Sequence, residues 1–402
     1  MSKLLVDEIS DADNTGPVTV TDGLIGDVTG TLTGNVTGNL TGNVTGNING
    51  LTPQASNMQP FNRIINGAMT IDQRNAGAST NNAGSVATYT LDRWLYYGTS
   101  SSKFAIQQSS TAPVDFVNSL LITSSAATSM SANNQYLLRH AIEGYNIADL
   151  NWGSANAKTV TLSFWVRSSL TGAFGGSVTN SDVNRSYPFS YTILLANTWE
   201  QKSVTITGPT DGSWNITNGT GLRLYFALGA GSDYNGTAGA WATVSDVTYP
   251  TGSTNILGTD GATFYITGVQ LEAGSSASSF AHENYADTLR KCQRYYYQIG
   301  GGGGEYGFIG IASRWDTNIV SYVGINHPQP MRGVPSLSYT GDIYLSFGGT
   351  GTLLTSLGEG YYNRENFRLW QRFDHDAIGS QGQCGIVYCQ TSSGFLKFDA
   401  EL

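Results

Sequence analysis

The segment "VTGTLTGNVTGNLTGNVTGNING", residues 28–50, repeats every four residues. Val28, Leu32, Val36, Leu40, Val44 and Ile48 are its aliphatic positions, and a glycine follows each of them two residues later. A period of four drifts against the 3.6-residue helical turn, and a glycine in every unit opposes a helix further. In an extended chain residues two apart share a face, so each aliphatic side chain points the same way as the nearby glycine while Thr and Asn point the other way. One such strand has a single narrow apolar row and nothing of its own to bury it against. Association with identical copies around an axis buries the row, and glycine lets the backbones come close. The pattern predicts an intertwined trimeric β-stalk over residues 24–52 with these six side chains as its core. A flexible glycine-rich linker is the alternative, but a linker gains nothing from Val or Leu at every fourth place.

The rest of the composition fits that picture. The chain has 402 residues, long enough for two or three domains with a core in each. Charged residues are only 12% of it, and 50 residues are glycine, roughly twice the usual share. Low charge with abundant Gly, Thr, Asn and Tyr suits an all-β protein of an extracellular or virion surface rather than a helical enzyme. A net charge of −9 argues against nucleic-acid binding, because no basic stripe is available to neutralise phosphates. Cys292, Cys384 and Cys389 form no disulfide framework and read as small buried thiols made in a reducing cytoplasm. The opening "MSKLLVDEISDADN" has no apolar signal core, no run approaches the length of a membrane span, and no membrane insertion is expected. The Asn-x-Thr triplets, such as those at Asn215 and Asn235, then read as composition and not as glycan sites.

After the stalk, "PQASNMQP" breaks the pattern, and a β-rich region over residues 61–282 follows. "KTVTLSFWVRS" alternates Val160, Leu162, Phe164 and Val166 against Thr161, Ser163, Trp165 and Arg167, and "GLRLYFALG" alternates Leu222, Leu224, Phe226 and Leu228 against Arg223, Tyr225 and Ala227. Many short alternating strands between Gly/Ser/Asn turns predict a jelly-roll-like β-sandwich. "ENYADTLRKCQRYYY" places Tyr285, Leu289, Cys292 and Tyr296 on one helical face, with Asn284 as a candidate N-cap, and predicts a short connecting helix over 283–297. A glycine run at 300–304 then acts as a hinge to a C-terminal β-rich tip domain, residues 305–402.

Several stretches resemble bacteriophage tail-fibre proteins of marine phages and prophages. They are "NRIINGAMTIDQRNAG" with "YTLDRW", "TVTLSFWVRSS", "GPTDGSWNITNGTGLRLYFALGAGS", "TFYITGVQLEAGSSASSFAHENYADTLRKCQRYYY" and "QPMRGVPSLS". The resemblance implies a homotrimeric virion fibre with its N-terminus toward the particle and its later domains toward the host. It also implies a sandwich similar to carbohydrate-binding modules, and it supplies no catalytic residues. Residues 1–23, apolar and acidic but too short for a core, are then expected to order on another virion tail protein.

No metal-ligand spacing, phosphate-binding glycine loop or nucleophile-base motif is present, so no catalytic residue, metal or cofactor is expected. Asp374 and Asp376, either side of His375, could hold a cation or act as a carboxylate pair on a sugar, or form a solvated turn. Sugar binding needs aromatic faces to stack on and polar groups to bond hydroxyls. Trp165, Tyr225 and Tyr265 lie off the aliphatic face of their strands, and Arg167 and Arg223 share that second face. If the strands are neighbours, these residues make a platform for an acidic or phosphorylated glycan; otherwise the face packs against another protomer or domain. Trp214, Tyr234 and Trp241, in polar loops, are further contact candidates or packing residues. The function expected is a non-enzymatic fibre attaching a virion to a host-surface glycan or receptor, with recognition favoured in residues 305–402. The alternative is a fibre that also depolymerises surface polysaccharide.

Overall fold

A computed structural model describes residues 61–402 apart from 243–245, 302–306, 315–319, 364–367 and 377. The attachment segment 1–23, the repeat stalk with Val28, Leu32, Val36, Leu40, Val44 and Ile48, and most of the glycine hinge lie outside the described residues.

Fourteen strands precede the helix among the described residues: β1 (Thr80–Ala83), β2 (Thr88–Tyr89), β3 (Trp94–Gly98), β4 (Ser101–Ser109), β5 (Ser119–Ser124), β6 (Gln135–Glu143), β7 (Val160–Ser168), β8 (Gly172–Thr179), β9 (Ser186–Ile193), β10 (Glu200–Ile206), β11 (Thr220–Ala230), β12 (Asn235–Gly236), β13 (Tyr249–Pro250) and β14 (Thr263–Ala273). Twelve of them form two antiparallel sheets, a front sheet in the order β1-β4-β5-β14-β7-β10 and a back sheet in the order β2-β3-β6-β11-β8-β9. The sequential strands β7 and β8 lie in different sheets, as do β9 and β10, so the chain crosses repeatedly between the layers of a jelly-roll-like sandwich. The alternating side chains do the joining. Val160, Leu162, Phe164 and Val166 of the front sheet and Leu222, Leu224, Phe226 and Leu228 of the back sheet are all fully buried. Phe164 meets Phe226 at 5.1 Å and Tyr191 at 4.9 Å, both edge-on, which fixes the spacing of the layers.

The segment "NRIINGAMTIDQRN" is a strap pinned to the sandwich. Arg63 forms a bidentate pair with Asp149 at 2.7 and 2.8 Å. The Asn66 amide donates to the carbonyls of Ile71 and Asp92, and the Trp94 indole donates to the Asn66 carbonyl. Gln73 donates to both oxygens of the buried Asp92 carboxylate.

Helix α1 spans Tyr285–Gln293 and is shorter than the sequence reading. It buries Thr288 and Cys292, whereas Tyr285 is 63% exposed and Tyr296 already belongs to the next strand. Asn284 stands at the N-cap in extended conformation, but its side chain makes no capping bond; its carbonyl accepts from Asp287 and Thr288 instead. The remaining strands are β15 (Tyr296–Gly300), β16 (Gly307–Arg314), β17 (Val320–Asn326), β18 (Ser336–Thr340), β19 (Ile343–Phe347), β20 (Thr350–Asn363), β21 (Arg368–His375), β22 (Cys384–Cys389) and β23 (Phe395–Asp399). A closed barrel runs β16-β17-β21-β20-β19-β22, and a three-stranded sheet runs β15-β23-β18. These strands share a second core that includes Val323, Leu345, Phe373, Val387 and Phe398. The three cysteines are free; Cys292 and Cys389 are buried, but Cys384 is exposed, contrary to expectation, because the alternation of β22 turns it outward.

Charged side chains stitch the last residues to the sandwich. Arg93 is fully buried, pairs with Glu401 and lies 3.6 Å over the Tyr295 ring. Arg74 pairs with Asp399 and Glu401 and sits 3.5 Å over Tyr296. Arg332 donates to the carbonyls of Asn218, Ala400 and Glu401. Beside this cluster Asp92 is buried, and desolvation, opposed by Arg74, pushes its carboxyl up to about 6.

Candidate functional site

The platform read from the sequence is divided between two sheets. Trp165, Arg167 and Tyr265 stand on β7 and β14 of the front sheet, whereas Arg223 and Tyr225 belong to β11 of the back sheet. Alternation along a strand reports which residues share a face, but not which strands share a sheet. Tyr225 is buried at 5% exposure, paired across the ladder with Arg139 and Ser177. The loop tryptophans are packing residues. Trp214 and Trp241 form an edge-to-face triad with Trp152 at centroid distances of 4.8–5.6 Å, and each of the three indole N–H groups donates to a backbone carbonyl. Asp374 and Asp376 do not act together: Asp374 accepts from Arg372 at 2.7 Å and from Ser356, while the carbonyl of Asp376 contacts the buried His375 ring. Among the described residues no cluster of His, Cys, Asp or Glu is arranged to hold a metal ion.

On the outer face of the front sheet, two parts of the aromatic row differ in character. Tyr265 lies opposite Arg167, whose guanidinium stacks 5.0 Å over its ring and donates to the Asn197 carbonyl at 2.9 Å. Trp199 closes the other side at 6.0 Å. Here the polar and aromatic groups are already engaged with each other.

Trp165, by contrast, borders open space. It pairs with Gln201 on one side and with Thr267 on the other, where β14 slips register between Thr267 and Gln270. Gly268 occupies this bulge at φ +62°, and a Cβ there would come within 2.7 Å of Phe116 and 3.0 Å of Trp165. Only glycine supplies both the left-handed backbone and the room for two rings. Phe116 then meets Phe280 and His282 at 5.1 Å each, and Phe280 meets His282 at 4.9 Å.

The segment carrying Phe280 and His282 is held by two buried side chains of β14. The Gln270 amide donates to Ser278 and to the Ser279 carbonyl and accepts from the Ala281 N–H. Glu272 accepts from the Ser278 N–H at 2.8 Å and from its hydroxyl at 2.7 Å. Buried, fully bonded carboxamide and carboxylate groups fix a loop more firmly than exposed ones. This accounts physically for the run "GVQLEAGSSASSFAH".

The aromatic trio separates two adjoining hollows. One, of about 200 Å³, is lined by Asn62, Thr70, Asp115 and Glu283 besides the rings; the other, of about 520 Å³, is lined by Val114, Trp165, Gln201 and Ser279. Neither is lined by Lys or Arg. Asp115 is exposed at φ +73° in the loop that delivers Phe116. Of this groove the sequence reading had only Trp165. The signal for the rest was an aromatic residue inside each of two turn segments, "PVDFVN" and "SSFAHE", whose convergence only the fold supplies.

No protein-family model matches this chain, and no curated protein matches it. Solved structures do. The enzymatically active domain of tailspike protein 4 of bacteriophage CBA120 is 11% identical with a TM-score of 0.27, over 53% of this chain and 21% of that one. A family 4 carbohydrate-binding module is 15% identical with a TM-score of 0.29, over 52% of this chain and 99% of its own length. The family 11 carbohydrate-binding module of a cellulosomal cellulase of Clostridium thermocellum is 10% identical with a TM-score of 0.26, over 50% of this chain and 98% of that one. Scores this low carry no inference about what this chain binds.

Proposed function

We propose that this chain is a structural fibre protein of a phage virion, a homotrimer that attaches the particle to its host by binding a surface glycan in the groove of the front sheet. The observation that carries the glycan reading is the set of ring faces at Trp165, Phe116, Phe280 and His282, set on a rigid bulged strand among amide, hydroxyl and carboxylate groups. Sugars present apolar C–H faces and hydroxyl edges, and such a lining matches both. Asp115, with no lining cation, favours a neutral or amine-bearing glycan in place of the acidic one that Arg167 and Arg223 suggested, while Glu283 is already paired with Lys291. The fibre reading is supported by the aliphatic tetrapeptide row, which needs partner copies. Residues 1–23 are the segment that joins another tail protein. The chain acts without cofactor, without nucleic acid and without membrane insertion, on the virion.

Titration of the full chain with fragments of host polysaccharide tests the groove. Trp165→Ala and Phe280→Ala each weaken binding about tenfold or more, equivalent to 1.4 kcal/mol, while Trp199→Ala, at the occupied end of the row, leaves it nearly unchanged. Equal binding by all three variants removes the groove from recognition and returns it to residues 305–402. New reducing ends on incubation with the polysaccharide would replace the adhesive reading with a depolymerase.

A further inference from the structure

The barrel turns an apolar face outward. In an ordinary small barrel, inward residues are apolar and outward ones polar. Here Phe308 opposes Tyr388, Tyr388 opposes Tyr344, and Tyr344 opposes Leu353, so one outward row crosses β16, β22, β19 and β20 without interruption. Ile311 and Ile386 oppose each other on the same two strands, β16 and β22. Phe308 and Ile311 are 62% exposed, Ile386 47% and Leu353 43%, and the Tyr344 and Tyr388 rings stack at 5.8 Å. No charged residue stands among these six side chains.

We infer that this face is a contact between copies of this chain. Three observations bear on the occupant, and the third favours a second copy over a foreign partner. The barrel is closed, so no strand edge is offered to another protein, and association has to use a face. Each copy carries a net charge of −9, and like-charged bodies approach most cheaply through a surface without charge. On the fibre reading the aliphatic repeat joins copies of the chain, and joined copies meet the same surface at high effective concentration. The four exposed side chains Phe308, Ile311, Leu353 and Ile386 of each barrel would otherwise remain in water, at a cost that burial removes. The inference rests on the homotrimeric fibre reading and adds to it the surface by which the tips meet.

Cys384 gives a direct probe, because it is the exposed cysteine of the chain and lies two residues from Ile386 on the same side of β22. The full chain is labelled with a maleimide and compared with a reference cysteine placed at the exposed Ser276, while light scattering reports the number of copies. The expected result is an assembly in which Cys384 reacts about tenfold more slowly than the reference, the protection of a site shielded by 1.4 kcal/mol. Ile311→Glu with Ile386→Glu should abolish the protection, and Ile311→Val with Ile386→Val should keep it. Should the glutamate variant not fold, the parent's labelling rate alone decides. An assembly of several copies with Cys384 as reactive as the reference overturns this inference and leaves the fibre reading standing. A single 42.8 kDa chain in solution overturns both. Protection that appears only when host polysaccharide is added also overturns it, and makes the face a receptor site.

Discussion

Between the front and back sheets the side chains that meet are Phe104, Phe164, Phe174, Phe226, Phe264 and their aliphatic neighbours, and the outer faces are polar or covered by loops. Inside the barrel, Val323, Leu345, Phe373 and Val387 share the interior with Arg314, Ser321, Gln371 and His375, while isoleucine, leucine and aromatic rings face outward. The sandwich closes on one apolar core in which the aliphatic rows of the facing strands are fully buried, and the proposed groove is a local departure at one bulge. The barrel spends part of its interior on polar groups, which stabilise only when every partner is in place. The Ser321 hydroxyl and the Asp376 carbonyl satisfy His375 at 2.9 and 2.7 Å, and the Gln371 amide donates to the Gly358 and Arg372 carbonyls. The comparison teaches that two regions of similar strand content can differ in where their stability comes from.

The sharpest way to break the comparison is a cavity in the sandwich. Phe164→Ala removes a ring that touches both Tyr191 and Phe226, and should cost about 3–5 kcal/mol in chemical denaturation followed by tryptophan fluorescence. A loss below about 1 kcal/mol would mean that the sheets collapse to fill the space and that the sandwich core is not rigid.

Next in size is Glu401→Gln, which leaves the fully buried Arg93 without its charge partner and should cost about 3 kcal/mol. Because Glu401 lies beyond the barrel in sequence and Arg93 lies in the sandwich, calorimetry should show the two regions melting farther apart than in the parent. An unchanged single transition would show that Arg74 and Arg332 suffice to join them.

The remaining effects come from pH, reach their full size only at the ends of a pH range, and oppose one another. Asp92 titrates near 6 in the folded chain against 3.8 unfolded, so between these values the folded state keeps a proton the unfolded chain has lost. Its contribution therefore falls as pH rises from about 4 to 6, by up to about 3 kcal/mol, and Asp92→Asn should flatten that slope. Burial and then Arg314 depress His375, so its barrel contribution is intact above 6.5 and is lost as pH falls below that value. Stability measured by denaturant at pH 4.5, 5.5 and 7 in parent, Asp92→Asn and His375→Gln separates the two signs. Parallel slopes in all three proteins would remove both groups from the pH response.

Much of the fold was legible because alternation is local. Val160 to Val166 and Leu222 to Leu228 announce their buried face in the sequence, and both are buried throughout. The assignment of strands to sheets was not legible, since β7 and β11 look alike and yet face each other across the core. That is why Tyr225 and Arg223 were grouped with Trp165 and lie on the other sheet. Trp214 misled for a different reason: its loop is polar in sequence, and its ring finds Trp152, 62 residues earlier, by tertiary contact alone. The helical face was misjudged at both ends, because Tyr285 follows the helical period without a surface to pack on, and Tyr296 and Tyr297 are drawn into a strand. Phe116 and Phe280 come together only through the Gly268 bulge, and a register slip leaves no mark in hydrophobic periodicity.

Strands β15 and β23 are direct ladder partners, with Gly300 opposite Phe395. The chain thus leaves for the barrel and finally returns from it at a single rung, having come back once in between as β18, which pairs with the other side of β23. A segment whose two ends are neighbours can be exchanged for another of different length and shape without moving what remains. Between these ends the barrel loops can change in length, whereas β18, which pairs with β23, and Arg332, which bonds Asn218 and the last residues, tie 301–394 to the rest and have to be kept.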